Sequence, residues 1–282
     1  MIRSLLERGP PDYWRQPSQG TVRFTFLGTA GFVVAGPSRT FVLDPNITRP
    51  GIWQTIFGRL GPREDLVQRF VPEANEVLVG HSHHDHALDA PAVCRHTGAR
   101  LLGSHATGHI ARAYGLDMSQ FVEVTPRSPV PCGQASATAY LSRHGKALLG
   151  RVPLPGDILA PPPWPPRVFH LRHGPVYHWH IEIDGLRVLH VDSADFIDEQ
   201  LAEADVLLLC AVGRQYRQDY TRRLVERVKP RVVLPCHWDD FTLPLEAPPR
   251  QLPGVDVEGF VEEIRGCGAQ AVVLSPLQSW WA

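Results

Sequence analysis

Seven residues, Gly80-His81-Ser82-His83-His84-Asp85-His86, constrain this chain more than any other stretch. They directly follow Glu76-Val-Leu-Val79, an apolar run that predicts a buried strand stopping at Gly80. Without its intervening residues the segment is His-x-His-x-Asp-His. Imidazole nitrogens and carboxylate oxygens suit zinc and similar divalent ions. A loop leaving a strand can aim His81 and His83 at one ion while Asp85 and His86 turn toward a second. Four ligands are too few for two ions. More His or Asp must therefore come from downstream, and the fold has to bring distant strand ends to one place.

The rest of the composition narrows the setting. With 43% hydrophobic residues the chain can fill a core, and Lys+Arg 28 against Asp+Glu 29 removes the basic footprint of a nucleic-acid binder. No nucleic-acid partner is expected. Cys94, Cys132, Cys210, Cys236 and Cys267 form no Cys-x-x-Cys pair, which argues against both a disulfide framework and a thiolate cage. Met1–Trp14 lacks the apolar core of a signal peptide, and the longest strongly apolar run, Val206–Val212, is far short of the ~20 residues that span a bilayer. The expectation is a cytoplasmic protein without a transmembrane segment.

Period-two runs at Thr21–Leu27, Phe32–Val34 and Thr40–Leu43 predict antiparallel strands joined by glycine turns. Helical spacing follows at Asp89–His96 and at Ser104–Tyr114, with Ser104 as N-cap. Ala99–Leu102 and Phe121–Val124 predict strands. Asp184-Gly185 between Val176–Ile183 and Leu186–Val191 is a hairpin signal. Helices over Phe196–Glu203, Tyr216–Val228 and Val257–Arg265 then alternate with strands at Val206–Leu209, Val232–Leu234 and Ala271–Leu274. No internal repeat stands out. Two sets of strands with associated helices favour two sheets packed face to face, helices outside, in one domain over 1–282. Seven prolines within Pro153–Pro166 exclude regular structure there and mark a surface loop or lid, spanning about 146–167 with its flanks.

The cluster resembles the signature of the metallo-β-lactamase-fold hydrolase superfamily. Leu27-Gly-Thr-Ala-Gly-Phe32 and Phe41-Val-Leu-Asp-Pro45 resemble its first strands, with Asp44 in the place of a supporting acid behind the ligands. Leu234-Pro-Cys-His-Trp-Asp-Asp-Phe241 resembles the His-Trp ending of a branch with lactonase-like and phospholipase D-like members. The resemblance implies an α/β (α+β type) four-layer αβ/βα sandwich with the metals at one edge. It also implies a His between the cluster and a bridging acid. His144 is placed ahead of His173, and His170 is read as structural. Asp192 fits the bridging acid, although Val191 replaces the usual Gly; Asp195 is the competitor, or else caps the following helix. His237 completes the set. The expected metal ligands are His81, His83, Asp85, His86, His144, Asp192 and His237.

The remaining histidines are read as ordinary. His178 and His180 are cross-strand or exposed polar residues, His105 and His109 a solvated helix face. His84 points away, and His190 lies nearby without binding. Cys236 is a packed thiol and Trp238 a pocket wall.

Two divalent ions ~3.5–4 Å apart lower the pKa of a shared water and polarise the oxygen under attack. The expected activity is therefore hydrolysis of a small-molecule ester, lactone or amide by hydroxide held on one or two ions, zinc first, with manganese, nickel or iron as substitutes. Asp85 is the candidate catalytic residue, binding the second ion and orienting or deprotonating the water. No Gly-x-Ser-x-Gly elbow is present. A diiron redox role is disfavoured because oxygen-reducing relatives resemble His-x-Glu-x-Asp, and His83 stands at that third position. The alternatives are a phosphodiesterase acting on phospholipid or nucleic acid, and a non-catalytic metal-binding protein. Arg143, Arg151, Arg167 and Arg172 around the Pro-rich loop leave phosphate recognition open. A homo-oligomer is compatible with the sequence, with Trp164 available to close over substrate or meet a second subunit.

Overall fold

Alternate phenylalanines build the centre of the molecule. A computed structural model describes residues 21–282, so the reading of Met1–Trp14 lies outside the described residues. β1 (Arg23–Gly28), β2 (Gly31–Ala35) and β3 (Thr40–Leu43) form an antiparallel meander. Phe24, Phe26, Phe32, Val34 and Phe41 enter one hydrophobic cluster, whereas Leu27, Val33 and Val42 enter another. Period two thus divides the side chains between two faces of one sheet.

The chain continues through α1 (Ile52–Phe57), α2 (Glu64–Phe70), β4 (Glu76–Leu78), α3 (His84–Ala87), α4 (Ala90–Thr97), β5 (Arg100–Gly103), α5 (His105–Tyr114) and β6 (Phe121–Glu123). Here β3, β4, β5 and β6 run parallel. Ser104 caps α5, its hydroxyl accepting from the Thr107 N–H at 3.4 Å. Val93 of α4 and Ile110 of α5 pack in the second cluster.

The second half repeats this plan. β7 (Val130–Cys132), β8 (Ala135–Leu141), β9 (Tyr177–Ile183) and β10 (Leu186–Val191) are antiparallel neighbours. β11 (Val206–Cys210), α6 (Tyr220–Val228), β12 (Val232–Cys236), α7 (Val257–Gly266) and β13 (Gln270–Ala271) follow, and β10 to β13 run parallel. β14 (Ser279–Trp281) returns to pair antiparallel with β1. Among the described residues each sheet has seven strands, ordered β14-β1-β2-β3-β4-β5-β6 and β13-β12-β11-β10-β9-β8-β7. Each combines three antiparallel pairings with three parallel ones, a likeness that no sequence repeat announces. Trp179 and Ile181 of the second sheet join the phenylalanines of the first, and Leu224 of α6 and Phe260 of α7 extend the same cluster. Helix, sheet, sheet and helix make the four layers expected of the αβ/βα sandwich.

Some elements differ from expectation. Phe196–Glu203 is not a helix; only a 3-10 turn at Asp198–Gln200 forms. Its polar groups are taken by tertiary partners instead of successive turns: Arg127 donates to the Glu199 carbonyl, Arg223 to Asp198, and Phe196 lies buried beneath Arg217. The strand expected over Ala271–Leu274 is confined to β13, because a turn between Ser275 and Gln278 carries the chain across to β14. α6 starts at Tyr220, after a 3-10 turn at Arg214–Tyr216. α1, α2, β7 and β14 were not anticipated.

Candidate metal centre

Each candidate ligand lies just beyond the C-terminal end of a strand. β4 leads through Gly80 to His81 and His83, and α3 then carries Asp85 and His86. In the second sheet β8 leads to His144, β10 to Asp192 and β12 to His237. Parallel strands align their C-terminal ends, which is why such sites collect along that edge. Two backbone bonds join the loops of the two sheets: the Ser82 N–H donates to the His173 carbonyl (2.9 Å) and the Tyr177 N–H to that of Gly80 (2.8 Å). Gly80 is needed for this approach, since a Cβ there would lie 2.2 Å from Oδ2 of Asp192.

The imidazoles are fixed from behind. His81 Nδ1–H donates to Asp192 Oδ2 (2.6 Å) and His86 Nδ1–H to Asp44 Oδ2 (2.9 Å). His144 Nδ1–H donates to the Gly145 carbonyl (2.7 Å), and His83 Nε2–H makes a long contact of 3.4 Å with the Leu154 carbonyl. A neutral imidazole has one N–H and one lone pair. Each ring thus spends its proton on an oxygen behind it and turns a bare nitrogen inward. His81 Nε2 and His83 Nδ1 face each other at 3.1 Å. His81, His83 and His144 offer ligand atoms within 4.8 Å of one another, as do His81, His86 and Asp192, and again Asp85, His86 and His237.

The electrostatics keep these nitrogens neutral. Burial, then the neighbouring His144 and His83, pushes His81 well below the usual histidine range. Burial lowers His83 to about 3 and His86 well below its ordinary value. His144 is lowered by burial against the opposing Gly145 carbonyl. For Asp85, burial raises the carboxyl, but His86 and the hydrogen bond from His237 outweigh it and hold the group well below the carboxylate range. Asp44 behaves oppositely: burial and then Asp192 push it well above, although the Gly80 N–H donates to it at 2.7 Å. Among the described residues, the buried Asp192 Oδ1 and His237 Nδ1 have no hydrogen-bond partner. Bare lone pairs, an ionised carboxylate and an orphaned carboxylate oxygen around one spot fit a divalent cation, which would satisfy them together.

His237 is held by a tether that the sequence did not suggest. Its backbone adopts φ +54, and its N–H donates to the Thr29 carbonyl. Two residues on, Asp239 accepts from the Thr29 N–H (2.8 Å) and from Arg49 Nη2 (2.5 Å). Both side chains of this ion pair are almost fully buried, at 2% and 1% exposure. No motif marks Arg49, and Asp239 stood out only as part of the closing segment.

The competing residues have other partners. His173 stacks on His144 with ring centres 5.6 Å apart and lies 6.0 Å from His83, but it belongs to none of the three ligand groups. Its Nδ1–H donates to the Gly174 carbonyl (2.5 Å). The Asp195 carboxylate meets Arg217 Nε at 3.1 Å and caps no helix. His170 accepts from the Arg167 N–H. His178 is buried against the Ser142 hydroxyl (2.8 Å), and His180 donates to the Glu203 carbonyl (3.1 Å). His190 donates to the Ala30 carbonyl (2.9 Å). His84 is buried and edges Phe241, with Nδ1 3.6 Å from Asp85. His105 is engaged by Asp157 of the Pro-rich loop (2.9 Å), so that face is not simply solvated. Trp164 packs edge-on against Tyr114 of the same chain at 5.3 Å, while Trp238 is buried against Phe26.

The pattern of the family described as the beta-lactamase superfamily domain matches residues 23–237. A protein from Archaeoglobus fulgidus described as a metal-dependent hydrolase is 26% identical over 269 residues, covering 92% of this chain and 98% of its own. A metallo hydrolase from the hyperthermophilic archaeon Ignicoccus hospitalis superposes with a TM-score of 0.61 at 21% identity, over 92% of this chain and 97% of its own. The diiron β-hydroxylase CmlA from Streptomyces venezuelae gives 0.59 at 16% identity, over 95% of this chain and 55% of its own. At such identities the structural likeness is one of fold. Because the family pattern runs from β1 through the histidine cluster to His237, the chain belongs to the beta-lactamase superfamily.

Proposed function

We propose that this chain is a metal-dependent hydrolase acting on a small ester, lactone or amide. The observation that carries the reading is the set of imidazoles whose protons are spent outward and whose lone pairs converge. The name of the Archaeoglobus relative agrees with it. His81, His83 and His144 would hold one divalent ion, and Asp85, His86 and His237 would hold a second. Asp192 keeps His81 in place with Oδ2, and its Oδ1 would be a further oxygen donor. Zinc suits this donor set, with manganese, nickel or iron as substitutes. Such an ion supplies Lewis acidity and lowers the pKa of a water toward ~7.

Asp85 stays ionised across the neutral range, so it would hold a cation and would orient the attacking water or take its proton. Asp44 and the Gly145 carbonyl fix the tautomers of His86 and His144, which keeps the inward nitrogens bare. Arg143, Arg151, Arg167 and Arg172 are all exposed, and no bond is seen between them and the cluster among the described residues. That favours a carbonyl substrate over a phosphodiester.

Elemental analysis after gentle purification should find one to two equivalents of metal per chain. A panel of lactones, esters, amides and phosphodiesters should show turnover of a carbonyl substrate that chelation abolishes and zinc or manganese restores. A metal-free protein that gains no thermal stability on adding either ion would refute the metal site. Metal-dependent turnover confined to phosphodiesters would refute the substrate class.

A further inference from the structure

α1 buries none of its side chains. Trp53 is 72% exposed and Phe57 65%, and their rings stack at 5.9 Å with 12° between planes. Ile52 and Ile56 are also exposed. The Pro-rich loop meets the end of this helix through Arg167, whose Nη1 donates to the Phe57 carbonyl (3.4 Å). A six-residue helix is too short to persist by itself in water, and an apolar surface of this kind marks a binding face.

The charges around it indicate what binds. Arg59 Nη1 donates to the Pro165 carbonyl (2.9 Å), and Arg167 takes the Phe57 carbonyl as described. Among the described residues neither guanidinium has a carboxylate partner, whereas Arg63 nearby is paired with Asp65. Exposed Trp and Phe beside unneutralised arginines suit the interface of an anionic bilayer, where rings enter the headgroup layer and cations meet lipid phosphates. We propose that α1, with Arg59 and Arg167, docks on an anionic lipid surface. The patch adjoins the metal centre through one loop: Pro166 accepts from the Leu60 N–H beside α1, and Leu154 contacts His83. Docking therefore sets this edge of the sandwich against the membrane surface.

The test is co-sedimentation of the full, metal-loaded chain with vesicles of phosphatidylcholine alone or mixed with phosphatidylglycerol, at low and high salt. The wild type should bind the mixed vesicles and release at high salt. Trp53→Ser/Phe57→Ser should weaken partitioning at least about tenfold. Arg59→Gln/Arg167→Gln should cost roughly fivefold per arginine and remove the preference for anionic lipid. Melting temperature and metal content should not change in the Trp53→Ser/Phe57→Ser protein, because both side chains are exposed; the arginine variant gives up its bonds to Pro165 and Phe57, so its binding is compared with its melting temperature measured alongside. The proposal is overturned if the wild type binds neither vesicle, binds both equally, or binds no less after the Trp53/Phe57 change. It is also overturned if the wild type sediments as an oligomer that this change dissociates, since the patch then serves a second copy.

Discussion

Replacing Arg49 by Met should damage the metal centre without touching a ligand. Met keeps an unbranched apolar stem but lacks the charged guanidinium, leaving the Asp239 carboxylate buried with the Thr29 N–H as its remaining hydrogen-bond donor among the described residues. Breaking a buried ion pair from one side costs about 3–5 kcal/mol. For a domain of this size that is roughly 6–20 °C in melting temperature. Asp239→Asn should cost less, because Arg49 retains the Asn46 and Leu27 carbonyls. In the double variant neither charge is stranded, so the cycle should show a coupling of about 1–3 kcal/mol. The tether also sets the backbone of His237, so metal affinity should fall roughly 10–100-fold. The assay is thermal and urea unfolding of the four proteins, chelated and zinc-loaded, with metal content measured in parallel. The gain in stability on adding zinc should shrink in the Arg49→Met protein. Additive single effects, or an unchanged zinc gain, would refute the claim that this pair positions His237.

Three further outcomes are expected. His144→Ala should lower metal content and abolish turnover, while His173→Ala keeps metal near the wild-type level; full metal in the His144 variant would promote His173 to ligand. Replacing residues 157–163 with a short Gly-Ser linker removes the Asp157–His105 contact but leaves Leu154 against His83. Metal should be retained and KM or kcat should change, and unchanged kinetics would reduce the loop to a connector. The metal-free protein should lose stability as pH falls below about 6.5, because unfolded histidines bind protons there while His83 stays neutral down to about 3 and His81 and His86 are also lowered. The sign follows from the unfolded state binding more protons, and urea titrations with chelator across that window check it.

The sequence disclosed what is local. The histidine cluster occupies one short stretch, and the Asp184-Gly185 hairpin shows the positive φ values that its dipeptide suggests, +48 and +81. Strand ends were readable wherever apolar runs met Gly, Asp or His. Long-range partnerships were hidden. Arg49 and Asp239 lie 190 positions apart, and each alone looks like an ordinary surface charge. Order and spacing admitted both His144 and His173, and the resemblance placed His144 ahead; in the fold the two rings stack on each other. Phe196–Glu203 has helical spacing, but its carbonyls and carboxylates are claimed by Arg127, Arg217 and Arg223. β14 is three residues long, too short for periodicity to register.

The return of β14 to β1 has a topological consequence. Val22 and Ala282 exchange two backbone hydrogen bonds, at 3.4 and 2.9 Å, so positions 22 and 282 sit side by side. A short peptide could join them, and the exposed Asp184-Gly185 turn could be cut instead, because adjoining ends and an exposed turn are what circular permutation requires. In that rearranged chain Asp192 and His237 would precede the His81–His86 motif, while the strand ends in space stayed as they are. The order in which the candidate ligands are met along a sequence is therefore set by where a chain is opened, not by the arrangement of the strand ends that carry them.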